Sequence, residues 1–199
     1  MVAVHARLFS QEKDSILGVG LTDAEMGQRF RFADASAAAS VQRELGKGTS
    51  RMRTLFEAAG GMDGMRRLAQ AWHRRVMEDA VVSHAFSHGF HPHHVERLAA
   101  YWAEALGGAP AFSPEYGDET AVVRMHSGMG EHGEMDSRAI ACFDEALVDT
   151  GLAADPPLRQ ALHDYFAWAT AAMARYPHSP ADVPRGMKIP RWSWDGLQR

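Results

Sequence analysis

Eleven histidines among 199 residues is a high count, and seven of them (His73, His84, His88, His91, His93, His94 and His126) fall between positions 73 and 126. Imidazole titrates near neutral pH, and its neutral form ligates transition metals. Two chemistries follow from the spacing. The run HxxxHxxHxHH over 84–94 could bind zinc or copper at a loop. It lacks a carboxylate or cysteine at a recognisable metal-site spacing such as HExxH, so a solvated corner is its plainer reading. His73, His94 and His126 sit on or beside apolar helical segments instead. His73 adjoins Trp72. His94 stands one turn ahead of Leu98, with Tyr101 and Ala105 continuing the line. His126 follows AVVRM and precedes Ser127-Gly128, expected to be flexible. An apolar slot with an imidazole on one wall suits a haem, whose iron needs one axial ligand while a second helix governs the other face. From spacing alone, His126 also reads as a surface or capping histidine, and His73 as a solvent-facing neighbour of the core.

Other chemistry is poorly supported. Cys142 is the only cysteine, which excludes a disulfide framework and a cysteine-based zinc site and reads as a small core residue. No Ser-His-Asp arrangement, P-loop or dinucleotide fingerprint stands above chance. The eleven methionines are most simply core filler. A net charge of −4 and a pI near 6.2 argue against broad binding to nucleic acid or an anionic membrane. No apolar run approaches the roughly 20 residues of a membrane span. The first residues, MVAVHARLFSQEKD, lack the apolar core of a secretory signal, so a reducing cytoplasm is the expected compartment.

The elements that would position the histidines are helical. Residues 1–50 have weak periodicity and read as an N-terminal extension, with a short helix capped by the Thr22–Glu25 pattern. From Thr54, TLFE is a capping box, and Gly60-Gly61 ends its short helix. A long helix is expected from Asp63, with Met65, Leu68, Ala69, Trp72, Val76 and Ala80 as its inner stripe. The next should open at Pro92, carry Val95, Leu98, Trp102 and Ala105 inward, and end at Gly107-Gly108. After a loop over 109–120 come a short helical AVVRMH and an irregular SGMGEHG. Another stripe runs from Glu134 to Gly151, and a final helix starts at Asp155-Pro156, with Leu158, Leu162, Phe166, Ala169 and Met173 inward. No segment shows sustained two-residue alternation, so the chain reads as all-α, with a domain over 51–176 and a tail over 177–199.

These segments resemble a known family. LFEAAGG at 55–61, HRRVMEDAVVSHAF at 73–86, LAAYWAEALGG at 98–108 and VVRMHSGMG at 122–130 are similar to the group II truncated haemoglobins, in order over about residues 54–176. PRWSWDG at 190–196 resembles the tails of some bacterial members. The resemblance implies a two-over-two helical sandwich around haem b. It implies that His126 is the proximal ligand, that Phe86 packs near the haem edge and that Leu98 is the apolar distal residue. His73 falls where the family usually has a tyrosine, and His94 at the distal gate. Ala139 falls where a tryptophan is typical, which implies a roomier distal pocket whose polar work rests on His73 and His94. Arg97 and Arg124 are the expected partners of the haem propionates. Tyr101, Trp102, Met129, Phe143 and Phe166 are expected wall residues.

The function implied is binding of dioxygen and other diatomics, nitric oxide and carbon monoxide among them. Two redox activities would extend it. One is conversion of nitric oxide and dioxygen to nitrate, with a separate reductase restoring the iron. The other is peroxidase-like, with a distal histidine as acid–base. Two rival readings belong to other classes. One is a gas- or haem-sensing interaction module that uses residues 1–50 and the tail. The other is a haem-free helical protein with a metal site in the histidine run. A homodimer is compatible with either. Trp192 and Trp194, two apart, would face one side of an extended chain. They could pack back on the helices, cover the haem opening or meet a neighbouring subunit, and a docking tail is the plainest of these.

Overall fold

The computed structural model describes residues 53–87 and 89–198. The extension over 1–50, the Thr22–Glu25 helix and His88 lie outside the described residues. Six α-helices are present among those described: α1 Leu55–Ala58, α2 Gly61–Glu78, α3 His94–Ala105, α4 Glu119–Met125, α5 Gly133–Asp149 and α6 Pro156–Met173.

Local chemistry accounts for the boundaries. Thr54 and Glu57 form the expected reciprocal capping box at α1. Helix α2 begins at Gly61, two residues before the expected Asp63. Gly60, at φ 93°, turns the chain so tightly that a Cβ on Gly64 would lie 1.8 Å from the Ala59 carbonyl oxygen. Helix α3 opens at His94, not Pro92. The backbone N–H of His94 donates to the His91 carbonyl, and that of His93 donates to His91 Nδ1, closing a turn before the helix starts. Asp155 caps α6 by accepting from the Leu158 N–H at 3.2 Å, with Pro156 in the first turn, as expected.

Helix α2 lies against both α3 and α5, and α5 lies against α6, so two helix pairs stack. This is the expected two-over-two arrangement. One aromatic from each helix meets at the centre: Trp72, Trp102, Phe143 and Phe166 are all buried. Phe143 and Phe166 stack in parallel at 4.1 Å, and Trp102 meets both edge-on at 5.4 and 6.0 Å. Trp72 closes the group edge-on at 6.0 Å from Trp102 and 5.7 Å from Phe166. Removing a ring from such a core typically costs about 3–5 kcal/mol. At the surface, Arg75 pairs with Asp149 and Glu145, and Arg138 with Asp79, tying α2 and the residue after it to α5. Exposed pairs of this kind contribute little individually.

The loop that delivers α4 is fixed from below. Glu104, near the end of α3, is buried and accepts the backbone N–H groups of Ala111, Phe112 and Ser113 and the Ser113 hydroxyl, at 2.8–3.1 Å. Burial alone would push its pKa up, but the Ser113 bonds lead a set that holds it below its usual value. Asp118 then caps α4 by accepting from the Ala121 N–H.

The tail departs from an all-α chain. Strands β1 Trp192–Ser193 and β2 Gly196–Leu197 form an antiparallel hairpin, too short to leave an alternating pattern in the sequence. Trp192 packs on Trp168 at 5.4 Å and Tyr165 at 6.0 Å. Trp194, expected on the same side, stands in the hairpin turn, and its Nε1 donates to the Arg53 carbonyl at 2.6 Å. The turn breaks the alternation on which the one-sided expectation rested. The tail docks on the helices.

Candidate functional site

His126 is the residue at which α4 ends, and it is 3% exposed. Its Nδ1 lies 2.7 Å from the carbonyl of Val122, one turn earlier. That acceptor favours the tautomer with the proton on Nδ1 and the lone pair on Nε2. Burial pushes its pKa down to about 4, outweighing the Val122 bond. The ring is therefore neutral at physiological pH, the form in which imidazole ligates metal. Neither neighbour is loose. The Ser127 hydroxyl donates to the Val123 carbonyl at 2.7 Å, and the backbone N–H of Gly128 to the Tyr176 carbonyl at 2.9 Å. The segment expected to be flexible is irregular but hydrogen-bonded.

A second group forms around His73 on α2 and His94 at the start of α3. Their rings are 5.1 Å apart. Phe86 stands edge-on to both, at 5.6 and 5.7 Å, and Phe90 lies 4.6 Å from His73 and 6.0 Å from His94. His94 is buried and His73 half-buried. Burial lowers the His73 pKa, and its buried Nδ1 has no hydrogen-bond partner among the described residues. Phe90 is absent from the residues picked out by spacing. It lies in the loop before α3, where helical periodicity carries no information. Its one sequence signal is a lone large apolar residue amid histidines in HGFHPHH.

The remaining expected residues scatter around these groups. Leu98 is buried one turn beyond His94. Trp102 and Phe143 lie in the central aromatic group, and Ala139 is fully buried on α5. Met129 is half-buried in the segment after His126. Arg97 places its guanidinium 4.6 Å from the centre of the Tyr116 ring, and Arg124 reaches the Val183 carbonyl at 3.5 Å. The Tyr101 hydroxyl donates to Glu119 at 2.8 Å. Glu119 itself is buried, which pushes its carboxyl up to about 7 although the Tyr101 bond acts the other way. Sequence reading missed Glu119, because an acid in a helix's first turn reads as a solvated end residue.

Within the described part of the histidine run, the His91 and His93 rings lie 5.6 Å apart. His84 and His93 are exposed, while His94 turns inward. Among the described residues, no group of three or more His, Cys, Asp or Glu side chains could hold a metal ion.

The residues present fit a haem. One neutral buried imidazole has its tautomer set by a carbonyl, as an axial ligand requires. Two more imidazoles sit among phenyl rings, and one, His73, has a buried nitrogen that no group among the described residues satisfies. Among the described residues, no helix is long and apolar enough to cross a membrane.

Comparison with known proteins identifies the family and the fold. A family model described as bacterial-like globin matches residues 54–173. Similar solved structures include the group II truncated haemoglobin from Bacillus anthracis, at 20% identity and TM-score 0.57, covering 64% of this chain and 95% of that one. A thermostable haemoglobin from the actinobacterium Thermobifida fusca is 26% identical at TM-score 0.52, covering 63% of this chain and 99% of that one. A truncated oxygen-avid haemoglobin from Bacillus subtilis is 18% identical at TM-score 0.51, covering 61% of this chain and 98% of that one. No curated protein matches the sequence.

Proposed function

Because the chain belongs to the bacterial-like globin family, we propose that it holds a haem through His126 and presents His73 and His94 to the gas that the haem binds. A globin implies a haem cofactor and a diatomic ligand; when bound, haem supplies reversible gas binding at its iron. The observation that carries the assignment is the His126 ring, buried, neutral and fixed through Nδ1 to Val122, with Nε2 as the nitrogen bearing the lone pair. The haem is of the b type. The one cysteine, Cys142, lies buried within α5 and offers no CxxCH pattern for covalent attachment.

His73 and His94 supply the polar groups toward the gas. Burial favours the neutral form of His73, which has one ring N–H to donate, and among the described residues its Nδ1 has no hydrogen-bond partner. A donated hydrogen bond favours dioxygen, which draws negative charge, over carbon monoxide, which draws little. Phe86 stands edge-on to both rings, and Phe90 edge-on to His73. Arg97 and Arg124 are the cations for the haem carboxylates. If nitric oxide meets dioxygen here to form nitrate, His73 or His94 would hold the oxygen, no proton transfer is required, and an external reductase would restore the iron; acid–base work by a distal histidine belongs to the peroxidase-like alternative.

The test is the visible absorption spectrum of the purified full chain, oxidised, reduced and then exposed to carbon monoxide. An intense Soret band that shifts at each step supports the reading. No such band after haem is added back would sink it.

A further inference from the structure

The helix that ends at His126 has seven residues, too few to hold itself in place. Tyr101 anchors its first residue, Glu119, and chain beyond residue 173, where the match to the globin family ends, holds the rest. The Thr120 hydroxyl oxygen, buried on α4, accepts the Met187 N–H at 2.9 Å. Four residues on, Arg124 donates to the Val183 carbonyl at 3.5 Å. Past His126, the N–H groups of Gly128 and Gly130 donate to the carbonyls of Tyr176 and Pro177 at 2.9 and 2.8 Å. The approach is close at Gly128. Its φ is +75°, and a Cβ there would lie 2.7 Å from Pro180 Cδ. Val183 and Ile189 are themselves buried in the core. Beyond them, Arg191 donates to the Gly108 carbonyl at 2.7 Å, and Trp192 packs on Trp168. The segment is therefore tied down at both ends, by α6 before it and by the hairpin after it.

We propose that residues 176–189 form a strap that positions the proximal histidine, an inference that rests on the reading of His126 as the haem ligand. The imidazole is bonded to Val122 within α4, so the ring's orientation is coupled to that helix. The helix in turn is held at Thr120, Arg124 and Gly128 by the strap. The direction of His126 Nε2, and through it the strain on the iron–histidine bond, is set by chain outside the matched globin region. Thr120 and Gly128 are positioning residues in this scheme. Neither needs to touch haem or gas.

The experiment uses the full haem-loaded chain with T120V, which removes the acceptor without changing side-chain shape, and G128A, which drives a methyl group into Pro180. Three quantities are read: the iron–histidine stretching frequency of the reduced protein, the rate of haem loss to excess haem-free myoglobin, and amide exchange over 119–130. The strap predicts a shifted frequency in both variants and haem loss about five- to tenfold faster, the effect of one hydrogen bond. It also predicts faster exchange confined to 119–130. Should G128A fail to fold, T120V alone decides. Wild-type frequency and haem loss in T120V would overturn the positioning role, even with faster exchange, since the strap would then be structural only. If the His126→Ala chain keeps the wild-type haem spectrum and stoichiometry, the ligand reading itself fails, and the strap's role toward the iron fails with it.

Discussion

The indole Nε1 of Trp72 donates to the backbone carbonyl of Ala139 at 3.3 Å, inside the contact between α2 and α5. Ala139 is fully buried, and its small side chain lets the indole reach the α5 backbone. Where the resemblance implies a tryptophan on α5, the indole in this contact is supplied by the facing helix. Replacing Ala139 with tryptophan would drive a large ring into this contact, and overpacking of a closed core costs about 1–3 kcal/mol or more. Trp72→Phe keeps most of the ring and loses one donor, at about 1–2 kcal/mol. Chemical denaturation should rank A139W as the more destabilised variant. The reverse order would contradict this packing account.

The cage of His73, His94, Phe86 and Phe90 makes a kinetic prediction. His73→Leu and His94→Leu should speed oxygen dissociation or autoxidation about tenfold or more, the loss expected for a hydrogen bond to a partly charged acceptor. Phe90, 42% exposed yet 4.6 Å from His73, covers the pair from outside. Phe90→Ala should speed carbon monoxide association and leave haem stoichiometry unchanged. Stopped-flow rates equal to wild type in all three variants would remove these residues from the gas site.

Glu119 makes the pH dependence specific. Its carboxyl is pushed by burial from an ordinary 4.5 to about 7. Below pH 4.5 the folded and unfolded chains both carry the proton. Between about 4.5 and about 7 the unfolded chain releases it and the folded chain does not, so stability falls as pH rises through that window. Above about 7 the loss is complete, on the order of 3 kcal/mol at most. E119Q retains an acceptor for Tyr101 and removes the titration. Denaturation midpoints of wild type and E119Q should diverge as pH rises from 4.5 to 7 and run parallel above that. Parallel curves throughout would show that Glu119 stays ionised in the fold.

What could be read from the chain was whatever acts within a few residues. The Thr54–Glu57 and Asp155–Pro156 caps and the 65–76 stripe each place an element through local chemistry. His126 and His94 are buried at helix ends, where spacing alone leaves a capping role open, and the family resemblance singled them out. Glu104 was not legible, since its carboxylate acts on a loop seven to nine residues away, where no period connects donor to acceptor. Phe90 was hidden for the same reason. Trp194 was misread because a two-residue strand passes into a turn before its alternation can show. The contacts of residues 176–189 with α4 span more than fifty positions, and only folding brings them together.

The central claim is that His126 holds the haem, and haem stoichiometry in the His126→Ala variant tests it most directly. The variant, purified with haem in excess and checked for helix content, should retain the fold and lose stable haem. The absorbance ratio of Soret to protein should fall to the background of free haem, and added imidazole should restore it in part. A variant that keeps one haem per chain with an unaltered spectrum would contradict the assignment and move the ligand to another histidine.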